Sequence, residues 1–221
     1  MNKKSETALE YFFYGEEFEL WKLHTVEDYI FCFGMLAIGI LAFIIIAKIM
    51  NAQRDQVRAV ARTNKRLKSL GKKPFKYFEN VTLHLPSGDV KLDGLMMDKS
   101  GIYFVKIYGW GLKVFGTPDG ATWRREDNER KEEIPNPLHE IKRGIADVEA
   151  FLAEQGIQGV KMMPMVVFAD TFKTPELYLG YGSFSTTYSE MKAWYKKQSD
   201  VSFEMYDYNK VTTLIEKELM N

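Results

Sequence analysis

The stretch Tyr29–Met50 (YIFCFGMLAIGILAFIIIAKIM) contains 22 residues and one charge, Lys48, close to its end. A helix apolar on every face needs a surrounding apolar medium, and a chain of 221 residues has little core to provide one. At about 1.5 Å of rise per residue the stretch covers a hydrocarbon layer of about 30 Å. Lys48 sits where its stem can carry the ammonium out to the headgroups. A cleaved secretory signal fits less well, because the preceding segment is long and ends in Glu27 and Asp28 rather than in a short basic region. Residues 29–50 are therefore expected to form one transmembrane helix. Cys32, the lone cysteine, lies inside it and can form no internal disulfide. It is read as a small packing residue, with acylation as the alternative.

Charge is balanced overall at 30 basic and 30 acidic residues, but it is segregated along the chain. Residues 1–28 carry three Lys and seven acids, residues 51–73 eight Lys or Arg against Asp55 alone, and residues 74–221 eighteen basic and 22 acidic side chains. Arg54, Arg58, Arg62, Lys65, Arg66 and Lys68 follow the apolar run within about 20 residues, the range over which basic residues fix orientation. The expected topology puts the N-terminus outside and the C-terminal domain in the cytoplasm. Four segments follow: an extracytoplasmic aromatic and acidic piece (1–28), the span (29–50), a basic juxtamembrane helix or linker (51–73) and a cytoplasmic domain (74–221). Lys48 and the six basic residues above are the expected contacts to anionic membrane lipid. Tyr11, Phe12, Phe13, Tyr14, Phe18 and Trp21 resemble an interfacial aromatic belt.

Beyond Phe75 the pattern becomes that of a β meander. Val81–Leu85 and Val90–Met97 flank the turn Pro86-Ser87-Gly88-Asp89 and read as a hairpin. Ile102–Tyr108 is almost continuously apolar, as expected of a central strand buried on both faces. Leu112–Phe115 and Thr122–Arg124 read as shorter strands, and Glu126–Glu133 as a charged loop. Asn136 and Pro137 open a helix whose Leu138, Ile141, Ile145, Val148 and Leu152 recur at helical spacing, ending at Gly156. Met162–Phe168 is a buried strand in which Pro164 marks a bulge or an edge. Thr187 and Glu190 form a capping box, Val201–Tyr206 a short strand, and Asn209 opens a last helix. The fold class is α/β, a mixed-sheet domain preceded by one transmembrane helix.

Leu92-Asp93-Gly94, Ser100-Gly101-Ile102-Tyr103-Phe104-Val105-Lys106-Ile107-Tyr108-Gly109-Trp110-Gly111, Trp123 and Asn136-Pro137 together resemble the nuclease-related domain (NERD), of the restriction-endonuclease-like superfamily. The resemblance implies a restriction-endonuclease-like sheet over roughly 75–170. It also implies a site with an Asp on one strand and a Glu-x-Lys on the next, in which the carboxylates hold a divalent cation and the Lys positions water or stabilises developing charge. Asp93 matches the Asp. Lys106 occupies the Glu position and Tyr108 the Lys position. A charged Lys has only donors and cannot ligate a cation, and Tyr carries no positive charge. Lys106 is expected to pair with Asp93 in place of a metal, with Trp110, Asn136 and His139 as neighbours of this degenerate site. Asp89 and Asp98 are the candidates for a relocated ligand. His84 and His139 are too isolated for a metal centre.

These features predict a membrane-anchored pseudoenzyme acting as a binding or scaffolding module, without a cofactor and with an unidentified protein partner. An active nuclease with relocated ligands and a structural subunit of a membrane transfer or secretion assembly are the alternatives. Nucleic acid is an unfavoured partner, because the domain has a net charge of −4 (18 basic, 22 acidic) and duplex binding calls for a basic face. The orientation has a direct test. Protease added to intact cells or spheroplasts is expected to leave residues 74–221 uncut until the membrane is permeabilised; cleavage from outside would reverse the topology.

Overall fold

The computed structural model describes residues 26–71, 73–171, 173–199 and 207–220. The aromatic outer segment and the strand expected at Val201–Tyr206 lie outside the described residues. The chain divides into two compact units, residues 1–51 and 52–221. The first holds α1 (Val26–Gln53), a helix of 28 residues opening with Glu27 and Asp28 in its first turn. Phe33, Leu36, Ile40 and Phe43 are exposed on it, and it is long and apolar enough to cross a membrane.

The second unit is a mixed α/β domain that begins with a helix, α2 (Gln56–Leu67), capped by Asp55 through a bond from the Arg58 amide. Next come β1 (Phe75–Leu83), β2 (Val90–Asp98), β3 (Gly101–Tyr108), β4 (Lys113–Gly116), β5 (Thr122–Glu126) and β6 (Lys131–Pro135). The helix α3 (Pro137–Glu154) precedes β7 (Met162–Phe168), β8 (Glu176–Leu179) and β9 (Ser185–Thr187). Two short helices close the described chain, α4 (Met191–Ser199) and α5 (Tyr208–Leu214), the latter continuing as a π turn over Ile215–Leu219. One sheet has the order β1-β2-β3-β7-β9 and the other β6-β5-β4-β8.

The expected central strand is β3, antiparallel to β2 and parallel to β7. One of its faces, with Phe104 beside Leu92, Val166 and Phe168, is covered by Leu138, Ile141, Val148 and Leu152 of α3. The opposite face presents Val105 and Ile107, with Met165 and Val167 of β7, to Ala59 and Leu67 of α2. Pro164 sits in β7 before the pairing with β9 begins at Val166, so its missing amide interrupts no ladder. The N-cap is as expected: Asn136 Oδ1 accepts from the Leu138 amide at 3.0 Å and Pro137 fills the first helical position. Thr187 likewise accepts from the Glu190 amide at 3.3 Å ahead of α4.

Two expectations are corrected here. In the basic segment 51–73, expected as a helix or linker, the helix forms as α2, but it packs into the domain and buries Ala59, Thr63, Asn64 and Leu67. Its buried stripe is narrow, small or polar except for Leu67, so the charge on its other face dominates the sequence signal. The charged loop at Glu126–Glu133 is instead a hairpin of β5 and β6, paired from Thr122↔Pro135 to Glu126↔Lys131. In β6 only Ile134 points inward, and such a strand has almost no apolar alternation to detect.

Removing α2 would bare Val105, Ile107, Met165 and Val167. Each is worth about 1.5–3 kcal/mol of burial, together comparable to the whole stability of a domain. A fragment of residues 52–221 is expected to unfold cooperatively in urea, and a fragment starting at residue 74 to show no cooperative transition. Equal midpoints for the two would contradict the placement of α2 within the fold.

Candidate functional site

The site forms where β2 leaves β3. Their antiparallel ladder runs from Asp98↔Gly101 to Gly94↔Val105 and stops, while β2 stays paired with β1 as far as Val90. Asn80, opposite Asp93, adopts a φ of 51° and drops out of the β1–β2 register. Beyond Val105, the edge of β3 that faced β2 still carries amides and carbonyls that need partners. Side chains provide them. Asp93 Oδ2 accepts from the Ile107 amide at 2.6 Å. Gln56 of α2 donates through Nε2 to the Ile107 carbonyl at 2.6 Å and accepts through Oε1 from the Gly109 amide at 2.8 Å. A carboxylate and a carboxamide thus continue the ladder that β2 abandons.

The helix α2 holds this arrangement from behind. Asn64, 1% exposed, donates through Nδ2 to the Asp93 carbonyl at 3.0 Å and accepts from the Tyr77 hydroxyl at 2.7 Å. Glycine at 109 has a steric reason. A Cβ there would lie 3.0 Å from each of the Ala59 Cβ, the Arg54 carbonyl and the Gln56 Cα. Gly94 is likewise confined by the Tyr77 ring.

Lys106 and Tyr108 fall on the α3 side of β3, with Phe104. The expected ion pair with Asp93 is not formed. Lys106 Nζ donates to the Lys91 carbonyl at 2.9 Å, and Glu140 Oε1 accepts from the Lys91 amide at 3.3 Å. The physical reason is that Asp93 turns its carboxylate along the sheet, towards the Ile107 amide, rather than out over the face where Lys106 stands. Burial raises the Asp93 carboxyl above its ordinary value of 3.8. The Ile107 amide and the charge of Lys106 oppose that shift, and Glu140 adds to it.

Tyr108 stacks on Phe168 with ring centroids 5.4 Å apart, and burial pushes its hydroxyl up to about 12. The Arg125 guanidinium lies 5.2 Å from the Tyr108 ring and 4.3 Å from that of Trp110. It is held there by bonds from Nε and Nη2 to Glu132 Oε2, at 2.9 and 2.6 Å. A fixed cation therefore covers the ring at the position where the resemblance expects Lys. Asn136 belongs to the scaffold: its Nδ2 donates to the Pro118 and Gly120 carbonyls at 3.0 and 2.7 Å, tying down the β4–β5 turn. His139 is exposed on the first turn of α3.

Neither candidate for a relocated ligand reaches the site. Asp98 is fully buried at the far end of β2, accepting from the Ser100 amide and hydroxyl at 2.7 and 2.6 Å and from the Tyr195 hydroxyl. Asp89 lies on the surface beside His84 Nδ1, at 2.9 Å. The basic set also divides. Arg54 bonds to Asp127 at 2.5 Å and to Asp170 at 3.0 Å. Arg62 donates to the Ala169 carbonyl, Arg66 to that of Ser189, and Lys68 pairs with Glu79. Arg58 and Lys65 are exposed on α2, and Lys48 is exposed near the end of α1.

The donor set does not suit a divalent cation of the expected kind. One oxygen of Asp93 is committed to an amide, a Lys stands at the second ligand position, and no three His, Cys, Asp or Glu side chains converge among the described residues. Sequence reading passed over Gln56, Asn64, Arg125 and Glu140. Asn64, a polar residue on the inward stripe of an amphipathic helix, carried a usable signal. The other three are brought in by tertiary structure alone. Compared with known proteins, residues 56–169 match the model of the nuclease-related domain. No curated protein and no solved structure matches the chain.

Asp93 substitutions test this geometry. Asp93→Ala leaves the Ile107 amide without its acceptor and is expected to cost about 1–3 kcal/mol. Lys106→Met leaves the Asp93 bond intact and should cost under about 1 kcal/mol. The folded carboxyl is raised, so its contribution is fully present below pH 3.8 and lost as pH rises through the folded value. Relative to Asp93→Asn, the wild type should lose stability as pH rises through that window, as measured by urea unfolding of residues 52–221. A wild type that gains on the Asn variant over the same window would show that Asp93 is ion-paired.

Proposed function

The chain belongs to the nuclease-related domain family, and on that premise we propose that it is a membrane-anchored, catalytically inactive member serving as a binding or scaffolding module. The observation that carries this reading is the bond from the Ile107 amide to Asp93 Oδ2. It turns the carboxylate that would grip a cation into part of the β ladder. The neighbouring chemistry agrees: Lys106 holds a backbone carbonyl, and Tyr108 is packed between Phe168 and Arg125. An ionised Lys brings repulsion where a cation would sit, and a phenol at about 12 stays neutral at physiological pH. Anchoring is supported by α1, and the basic residues after the span favour a cytoplasmic domain.

A second reading, a metal-dependent nuclease, would have to recruit Glu140, the acid whose charge is felt at Asp93. One experiment separates the two. The purified full chain is expected to leave single- and double-stranded DNA and RNA intact with magnesium or manganese, and to show no thermal shift with either ion. Metal-dependent cleavage abolished by both Asp93→Asn and Glu140→Gln would overturn the proposal in favour of the second reading.

A further inference from the structure

The helix α2 has two faces with different uses. Its inward face carries Gln56, Ala59, Asn64 and Leu67 into the contacts described above. Several of its cations are also spoken for: Arg62 and Arg66 hold carbonyls and lie 5.2 and 4.6 Å from the Tyr188 ring. The outward face is composed differently. Val57, Ala61 and Lys65 follow one another at four-residue spacing, with Arg58 beside them, and all four are exposed. Val57 is 75% exposed, the one large aliphatic side chain outside α1 that stands open to solvent among the described residues. From Gln56 to Lys73 the sequence has seven Lys or Arg and no acid. Arg58 follows Met50 by eight residues, so the covalent chain keeps it within about 30 Å of the end of the apolar run.

We infer that this outward stripe of α2 lies on an anionic bilayer surface, with Val57 and Ala61 entering the headgroup layer and Arg58 and Lys65 meeting acidic lipid headgroups. The inference rests on α1 crossing the membrane. A basic helix face beside a span attracts anionic lipid, each cation contributing separately. An aliphatic side chain on that same face supplies the apolar component that a purely solvated face lacks. The acid-free outward side makes the surface complementary to negative charge, while Arg54, Arg62, Arg66 and Lys68 are engaged within the protein.

The test uses the full chain in lipid nanodiscs. A nitroxide is placed at Ala61→Cys in a Cys32→Ser background, with the exposed Glu149→Cys on α3 as control. Co-purification with the discs reports anchoring by α1, and relaxation of the nitroxide by a water-soluble paramagnetic ion reports docking of α2. The label at 61 should be shielded in phosphatidylserine-containing discs, exposed in phosphatidylcholine discs, and released by salt as screening shortens. The label at 149 should not respond. Arg58→Gln with Lys65→Gln, both at exposed positions, should move the docked–undocked equilibrium by roughly thirtyfold towards undocked. Shielding at 61 that ignores lipid charge and salt, or its absence in anionic discs, overturns the inference while disc co-purification still stands for the anchor. Failure to co-purify would instead remove the anchor, and the inference with it.

Discussion

Three hydrogen bonds to the end of β3 organise this domain. A central strand whose neighbour departs halfway leaves buried amides and carbonyls, each costing on the order of 1–3 kcal/mol if unpaired. Here Asp93 and Gln56 complete Ile107 and Gly109. The parting of β2 from β3 is what opens a site on this sheet in the first place. The same parting creates the backbone demand that now engages the site's carboxylate. Because Gln56 comes from α2, and Asn64 of the same helix holds the Asp93 carbonyl, the helix is required for both the fold and the geometry of the site.

On the proposed reading, this site has lost its chemistry and kept its architecture. Lys106 stands at the family's Glu position and Tyr108 at its Lys position, no cation pulls on Asp93, and its carboxylate bonds to the Ile107 amide. Arg125, fixed by Glu132, places positive charge over Tyr108 and Trp110. Burial, with the charge of Glu140, raises the Asp93 carboxyl against the opposing effects of the Ile107 amide and Lys106. Folding thus makes this carboxyl harder to ionise than it is in water.

Much of the fold was legible in the residues. The β1–β2 hairpin, β3 as the central strand, the cap at Asn136 and the long helix α3 each rest on a strong local signal: a Pro-Ser-Gly-Asp turn, a continuous apolar run, an Asn-Pro pair, and apolar residues at helical spacing. The strand β6 was hidden because three of its five residues are charged and solvent-facing. The role of α2 was hidden because its Arg and Lys residues outweigh a buried stripe of Ala, Thr, Asn and Leu. At the site, the resemblance set Lys106 and Tyr108 against the family's Glu-x-Lys. The partner of Asp93 could not. Charge alone favours Lys106, but the outcome depends on where the backbone of β3 has unmet donors, and that follows from where β2 ends its pairing.

The central claim is that Asp93 serves the backbone rather than a cation. It is tested most directly by nuclear magnetic resonance of residues 52–221 with manganese added in small steps. Paramagnetic broadening falls off steeply with distance from a bound ion, so a site at Asp93 would reveal itself in its neighbours' amides. The amides of Ile107 and of Leu92 to Gly94 are expected to broaden no more than exposed amides elsewhere, and the Ile107 amide shift to follow the ionisation of Asp93. Selective broadening of these amides, lost in Asp93→Asn, would contradict it.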